Sequence, residues 1–361
     1  VGVRLSFVHL QVKSTYSLLN STVKIDDLVE TAKKDGYSAV AVTDYHTMYG
    51  IIAFYKKCIE KGIKPIIGLT VTYIVEQIQS EIILLAKGYR GYRNLLILSS
   101  MLQTKYGEGI PIDLIKKYGQ DLIAISPGRK GWVEQLFLQN KSERATEAAE
   151  TIKRLFDDQC FFFSVQNHFD PKEETLNSKM LTLSNHLSIP FVALNDVCYL
   201  KREDEFAYRC LKAVGSGIQV DQHELSNSEY YLKTPDEMTI LFEKLPIALK
   251  NTLSIAEKCN VEIELGKTKL PSFPSPEGVD SYQYLKEVCR QGLMKRGLYE
   301  LKYQERLAYE LTVIEKMNFS DYFLIVWDFM KYAHQKGIMT GPGRGSGCRF
   351  TCCVCAFYYR C

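Results

Sequence analysis

The feature that most constrains this chain is an alternation of strand and helix signals that repeats from residue 7 to residue 194. Short apolar runs at 39–42, 65–67, 82–85, 122–126, 161–165 and 190–194 read as strands. Between them, apolar side chains recur at helical spacing: Ile25, Leu28, Val29 and Ala32; Ile51, Phe54, Tyr55, Cys58 and Ile59; and stretches at 95–102, 132–138, 145–155 and 176–187. Gly36 and Gly62 follow the first two stripes, where a left-handed residue can end a helix. Strands alternating with helices predict an α/β fold with parallel strands and crossover helices. A closed barrel and an open sheet both satisfy that pattern.

The stretch 7–14 supplies the first strand. Val8, Leu10 and Val12 fall on one side and His9, Gln11 and Lys13 on the other, which is the period of a strand with one polar face. Further on, Thr234-Pro235-Asp236-Glu237 combines a Thr cap, Pro at the first helical position and Glu at the third, so it opens a helix with a capping box. Helical signals continue to about Cys259. Three prolines at 271, 274 and 276 then break any helix or central strand, and we place a domain boundary there. Beyond it, helical stripes return at 284–293, at Leu307, Leu311 and Ile314, and at 322–333.

Composition excludes little. With 46% hydrophobic and 24% charged residues, the chain of 361 residues is of ordinary globular make-up. No apolar run approaches the roughly 20 residues of a bilayer span. The opening Val1-Gly2-Val3-Arg4-Leu5 lacks a signal-peptide core, so a cytoplasmic protein with no membrane partner is expected. A net charge of +3 is too mild to announce nucleic-acid binding. Of the 11 cysteines, six are scattered between Cys58 and Cys289 as in a protein with reduced thiols, and five crowd the last 14 residues.

Several segments, in order, carry a family resemblance: His9-Leu10-Gln11-Val12-Lys13-Ser14, Ile63-Lys64-Pro65-Ile66-Ile67-Gly68, Leu84-Leu85-Ala86-Lys87, Gly91-Tyr92-Arg93-Asn94-Leu95, Asn195-Asp196-Val197, Asp321-Tyr322-Phe323-Leu324-Ile325-Val326-Trp327-Asp328 and Gly341-Pro342-Gly343-Arg344-Gly345-Ser346. Together they resemble the PHP domain and the start of the palm of bacterial DNA polymerase III alpha subunits, most closely those of low-G+C Gram-positive bacteria. The resemblance implies a PHP-type distorted β/α barrel over 1–269 and a partial, mainly helical start of a palm domain over 270–346.

Active PHP domains hold up to three metals in a cluster of His, Asp, Glu and sometimes Cys ligands and hydrolyse phosphoesters. Metals serve that chemistry by lowering the pKa of bound water and neutralising phosphate charge. Where the resemblance places histidines, this chain has Gln11, Lys13, Tyr45, Glu81, Cys198 and Tyr208, and Thr70 stands for a glutamate. Asp44, His168 and Asp196 are what remains of the metal site. An ammonium has no lone pair to give a metal and repels one, so Lys13 argues for a vestigial site holding no cofactor and a scaffold domain. The alternative is a metal-dependent phosphoesterase or 3′-5′ exonuclease with Mn²⁺, Zn²⁺ or Fe in a rebuilt site of Asp44, Glu81, His168, Asp196 and Cys198.

Other readings stay open on the residues alone. His46 is either a catalytic base or a surface or hydrogen-bonded histidine, and His186, His223 and His334 read as surface residues. The 322–327 run is either a nucleotide-stacking platform or helix core. Arg306 and Glu310 read as a solvated helical pair. Gly343, Arg344, Gly345 and Ser346 resemble the palm loop that contacts the triphosphate of an incoming nucleotide; glycines let backbone approach phosphate closely, and Arg and Ser can donate to it. The family's palm aspartates lie in a segment like Pro-Asp-Ile-Asp-Ile-Asp, which does not occur in this sequence, so the chain itself is expected to be inactive as a polymerase. For the full-length relative the resemblance implies Mg²⁺, primed DNA template, deoxynucleoside triphosphates and replisome proteins such as the sliding clamp.

The stretch 347–361 departs from the family. Cys348, Cys352, Cys353 and Cys355 are clustered as in a zinc knuckle. Codons compatible with 348–361, shifted by one base, instead spell Ala-Gly-Ser-Leu-Val-Ala-Tyr-Val-Leu-Phe-Ile-Thr-Asp, which is similar to the family's continuation. We read 347–361 as a frameshifted, non-native tail.

Overall fold

The computed structural model describes residues 7–220, 229–267, 270–340 and 351–352. The chain divides into two compact units, Val1–Ile263 and Glu264–Cys361.

In the first unit, helix α1 (Ile25–Lys34) buries Ile25, Leu28, Val29 and Ala32, the stripe its sequence announces. Gly36, at φ 81°, lets the chain leave the helix and enter strand β1 (Ala39–Val42). Helix α2 (Ile51–Lys61) ends on Gly62 in the left-handed region. Then come β2 (Lys64–Val75), β3 (Ile78–Ala86), α3 (Tyr89–Thr104), β4 (Ile110–Pro111), α4 (Ile112–Tyr118), β5 (Leu122–Ile125), α5 (Trp132–Leu138) and α6 (Ser142–Lys153). The series continues with β6 (Phe161–Gln166), α7 (Pro171–Leu187), β7 (Phe191–Leu194) and α8 (Glu205–Ser216). It closes with α9 (Pro235–Leu241) and α10 (Pro246–Lys258). The capping box predicted for α9 is present, with Thr234 and Glu237 satisfying each other's backbone amides.

The sheet order is β1-β2-β3-β5-β6-β7, with β4 beside β2. β1–β2, β5–β6 and β6–β7 pair in parallel. β3, however, runs antiparallel to both β2 and β5. This corrects the expectation of parallel strands throughout. The reason is local: Glu76 and Gln77, at φ 49° and 67°, make a two-residue turn that folds β3 straight back on β2, where a crossover needs a dozen or more residues.

The 7–14 stretch is extended and joins the two ends of this sheet. The Ala41 amide donates to the His9 carbonyl and Thr43 to that of Val12, while Lys13 donates to Val197 and Val197 to Gln11. It is not a regular strand, since its sole ladder pair is the parallel bridge between Val12 and Val197. Its polar face also points inward: His9, Gln11 and Lys13 are as buried as Val8, Leu10 and Val12. The sheet is thus curled, with polar residues facing its interior.

In the second unit, α11 (Ser281–Lys295), α12 (Leu301–Lys316) and α13 (Ser320–Gln335) share a small core. Leu285, Val288, Cys289, Leu293, Leu307, Leu311, Ile314 and Leu324 form it, and Trp327 packs edge-on against Phe273 and Tyr284. Arg306 and Glu310 are paired at 2.7 Å, but Glu310 is buried and its second oxygen accepts from the Cys352 amide. The solvated-pair reading is corrected: the carboxylate ties the core together.

Candidate functional site

Parallel strands deliver their C-terminal ends to one side of a sheet, and the antiparallel β3 brings its N-terminal half there, with Glu81 opposite Thr72. Lys13, Asp44, Glu81, His168, Asp196 and Cys198 therefore converge on one mouth. The side chains present there bind one another.

Asp44, just past β1, is buried and accepts three hydrogen bonds: from the Ser14 amide at 2.6 Å, from Ser14 Oγ at 2.7 Å and from Ser17 Oγ at 2.6 Å. Burial raises its carboxyl above the usual carboxylate range, and the Ser17 and Ser14 hydrogen bonds offset only part of that. Asp196, just past β7, receives Lys13 Nζ at 2.5 and 2.7 Å from its two oxygens. Burial alone would raise the Asp196 carboxyl, yet the Lys13 charge and hydrogen bond bring it below its ordinary value. Burial alone would lower the Lys13 ammonium, yet Asp196, then Cys198, raise it. Each partner thus holds the other in its charged form.

His168 directs Nδ1 at Glu173, 2.9 Å away, and stacks on Tyr230 at 4.7 Å between ring centroids. The other positions where a ligand is expected are also spoken for. Gln166 donates to Gln11 at 3.3 Å, the Tyr45 hydroxyl lies 2.9 Å from Thr72 Oγ1, and Thr70 Oγ1 donates to the Thr43 carbonyl. Glu81 is paired with Lys130 at 3.0 Å. Cys198 shares a hydrogen bond with Tyr208, and burial, then Asp196, pushes its thiol up to about 11. Among the described residues, no three His, Cys, Asp or Glu side chains are grouped to hold a metal ion. The donor set does not fit a divalent cation: Asp44 has three of its roughly four acceptor sites taken by Ser14 and Ser17, and the Asp196 carboxylate is neutralised by an ammonium.

His46 sits at φ 62°, stacked on Tyr45 at 3.8 Å, and its Nε2 accepts from the Thr72 amide at 3.2 Å. Burial lowers its pKa to about 4. A neutral ring accepting from backbone is the hydrogen-bonded histidine of the two readings. His186 is exposed on α7, and His334 lies 3.0 Å from Thr340 Oγ1. Gly343, Arg344, Gly345, Ser346 and His223 lie outside the described residues, as do Cys348, Cys353 and Cys355. Two groups at the mouth carry no sequence signal, Lys130 in a 3-10 turn at Gly128–Lys130 and Lys212 on α8.

Residues 9–168 match the model of the PHP domain, and residues 283–357 match that of the bacterial DNA polymerase III alpha NTPase domain. An amidohydrolase from Chromobacterium violaceum aligns with 54% of this chain and 88% of its own at 10% identity and a TM-score of 0.36. The first unit is a PHP domain. The DNA polymerase III subunit alpha of Bacillus subtilis is 45% identical over 347 residues, covering 95% of this chain and 31% of the relative. That of Halalkalibacterium halodurans is 37% identical over 345 residues, covering 94% and 31%. Over nearly its whole length the chain is similar to bacterial DNA polymerase III alpha subunits, and it spans about 31% of the length of the curated relatives it matches.

Proposed function

We propose that this chain is the PHP and early palm portion of a replicative DNA polymerase subunit, and that its PHP domain is a scaffold held by an internal ion pair in place of metals. The observation that carries this reading is the Lys13–Asp196 pair. A metal would have to displace a buried ammonium from its carboxylate, and uncovering that charge costs several kcal/mol by order of magnitude. Template-directed synthesis from primed DNA and deoxynucleoside triphosphates with Mg²⁺ belongs, in this reading, to the full-length protein, working with replisome partners such as a sliding clamp. Gly343, Arg344, Gly345 and Ser346 would contact the nucleotide there, and the division at 269/270 and the non-native tail at 347–361 are part of the same proposal. Asp44, His168 and Asp196 are vestiges of the metal site.

The test is elemental analysis of the purified chain beside a nuclease assay on single-stranded DNA. No stoichiometric metal and no hydrolysis are expected. Bound Mn²⁺, Zn²⁺ or Fe together with hydrolysis that disappears in Asp44→Ala would establish the phosphoesterase reading instead. In a primer-extension assay the chain is expected to be inert; template-dependent synthesis by it would overturn that part.

A further inference from the structure

We propose that Cys289 and Cys352 are a redox pair, closing to an intramolecular disulfide when the chain meets a small-molecule disulfide and reopening in excess thiol. The inference concerns the second unit and is independent of the reading given to the PHP domain.

The two residues are 63 apart in sequence. Cys289 lies on α11, four residues after Leu285 and four before Leu293, and shares their place in the small core. Cys352 reaches the same core through its backbone. Its amide donates to Glu310 Oε2 at 2.9 Å, and Arg306 holds the other oxygen of that carboxylate at 2.7 Å. Both side chains are fully buried, and the two sulfur atoms stand 3.4 Å apart. A bonded pair stands about 2.05 Å apart, so a closure on the order of 1 Å separates this contact from a bond. Among the described residues, no further His, Cys, Asp or Glu is grouped with the two thiols to hold a metal. Thiol–disulfide exchange is the chemistry such a contact supports. The remaining described cysteines, Cys58, Cys160, Cys198, Cys210 and Cys259, belong to the first unit.

The step balances with oxidised glutathione as the oxidant. One cysteine loses its proton, attacks a glutathione sulfur and releases the first glutathione thiol, leaving a mixed disulfide. The second cysteine loses its proton, attacks the protein sulfur of that mixed disulfide and releases the second glutathione thiol. Two protein thiols have then been oxidised by two electrons, and one glutathione disulfide has been reduced to two thiols. Burial gates the first attack. The Cys289 hydrogen bond, then burial, hold the Cys352 thiol above its ordinary range, so the thiolate forms when the core opens locally.

The test uses the full chain. It is incubated with oxidised glutathione, its free thiols are alkylated, and an unreduced digest is mapped by mass spectrometry. The expected product is a monomer in which Cys289 is joined to Cys352 and from which dithiothreitol removes the link. The bond closes a long loop, so the oxidised second unit should unfold roughly 5–10 °C higher than the reduced one. Cys352→Ser should reduce linkage of Cys289 by about tenfold or more, with the cysteines of the first unit alkylated as before. Cys289 left alkylated in the oxidised parent chain, or joined in preference to Cys348, Cys353, Cys355 or Cys361, overturns the proposal. Equal linkage of Cys289 in the parent and in Cys352→Ser overturns it as well.

Discussion

Lys13 and Asp196 lie 183 residues apart in sequence and meet at 2.5 Å, the first on the segment that closes the curled sheet and the second just past its last strand. The pair joins the two ends of the sheet where the backbone itself provides one bridge, Val12 to Val197. Its partners are 7% and 21% exposed, so water screens it little.

Removing one partner leaves the other charged and buried. Lys13→Met is expected to destabilise the first unit by about 3–5 kcal/mol, whereas the double variant Lys13→Met, Asp196→Leu should recover most of that loss. Urea unfolding of the two variants checks this. Equal losses in both would mean that the pair, and not the orphaned carboxylate, carries the stability.

Two buried groups should give the stability profile opposite slopes on one pH scale. Burial pushes the Glu134 carboxyl up to about 7, with hydrogen bonding to Ser126 pulling the other way, and Tyr73 faces it without a charge. A carboxyl raised in the folded state is protonated there first, so stability falls as pH rises from about 4.5 through about 7, by about 3 kcal/mol at most. Glu134→Gln should flatten that limb. A profile unchanged between pH 4.5 and 7 in this variant would show that Glu134 titrates normally.

His46 works in the other direction. Its folded pKa of about 4 lies below the ordinary 6.5, so the unfolded chain takes up the proton first and stability is lost as pH falls from about 6.5 toward 4. His46→Asn keeps a residue that tolerates the left-handed backbone and removes the titration. Its acid limb should therefore be shallower than that of the parent, read by thermal unfolding at successive pH values.

Gly91 opens α3 against the backbone of Asp121: a Cβ there would run into the Asp121 carbonyl oxygen and lie 3.2 Å from Leu122 Cδ2. Gly91→Ala is expected to cost about 1–3 kcal/mol through overpacking. Gly36→Ala serves as a comparison, because its Cβ meets nothing within 4 Å and only its positive φ is strained. Equal costs at both positions would mean that backbone conformation, not the Asp121 contact, decides the first.

What the sequence by itself determined is most of the elements and the family resemblance; β4, α4 and α8 were not among the elements it announced, and 7–14 is no regular strand. Ile25, Leu28, Val29 and Ala32 could only be one face of a helix, and Thr234 with Glu237 could only cap one, because these signals arise from residues within a turn or two of each other. The same local character made the prolines at 271, 274 and 276 a break in regular structure. Tertiary structure decided the direction of β3, the inward polar face of 7–14, and the fates of Glu310 and Lys13. Each of those depends on which distant chain lies opposite. Lys13 in the sequence says only that a ligand is missing. That it is buried, charged and clamped by Asp196 follows from a sheet curled until residues 13, 81 and 196 share one mouth, where low dielectric makes each charge answer to its neighbours.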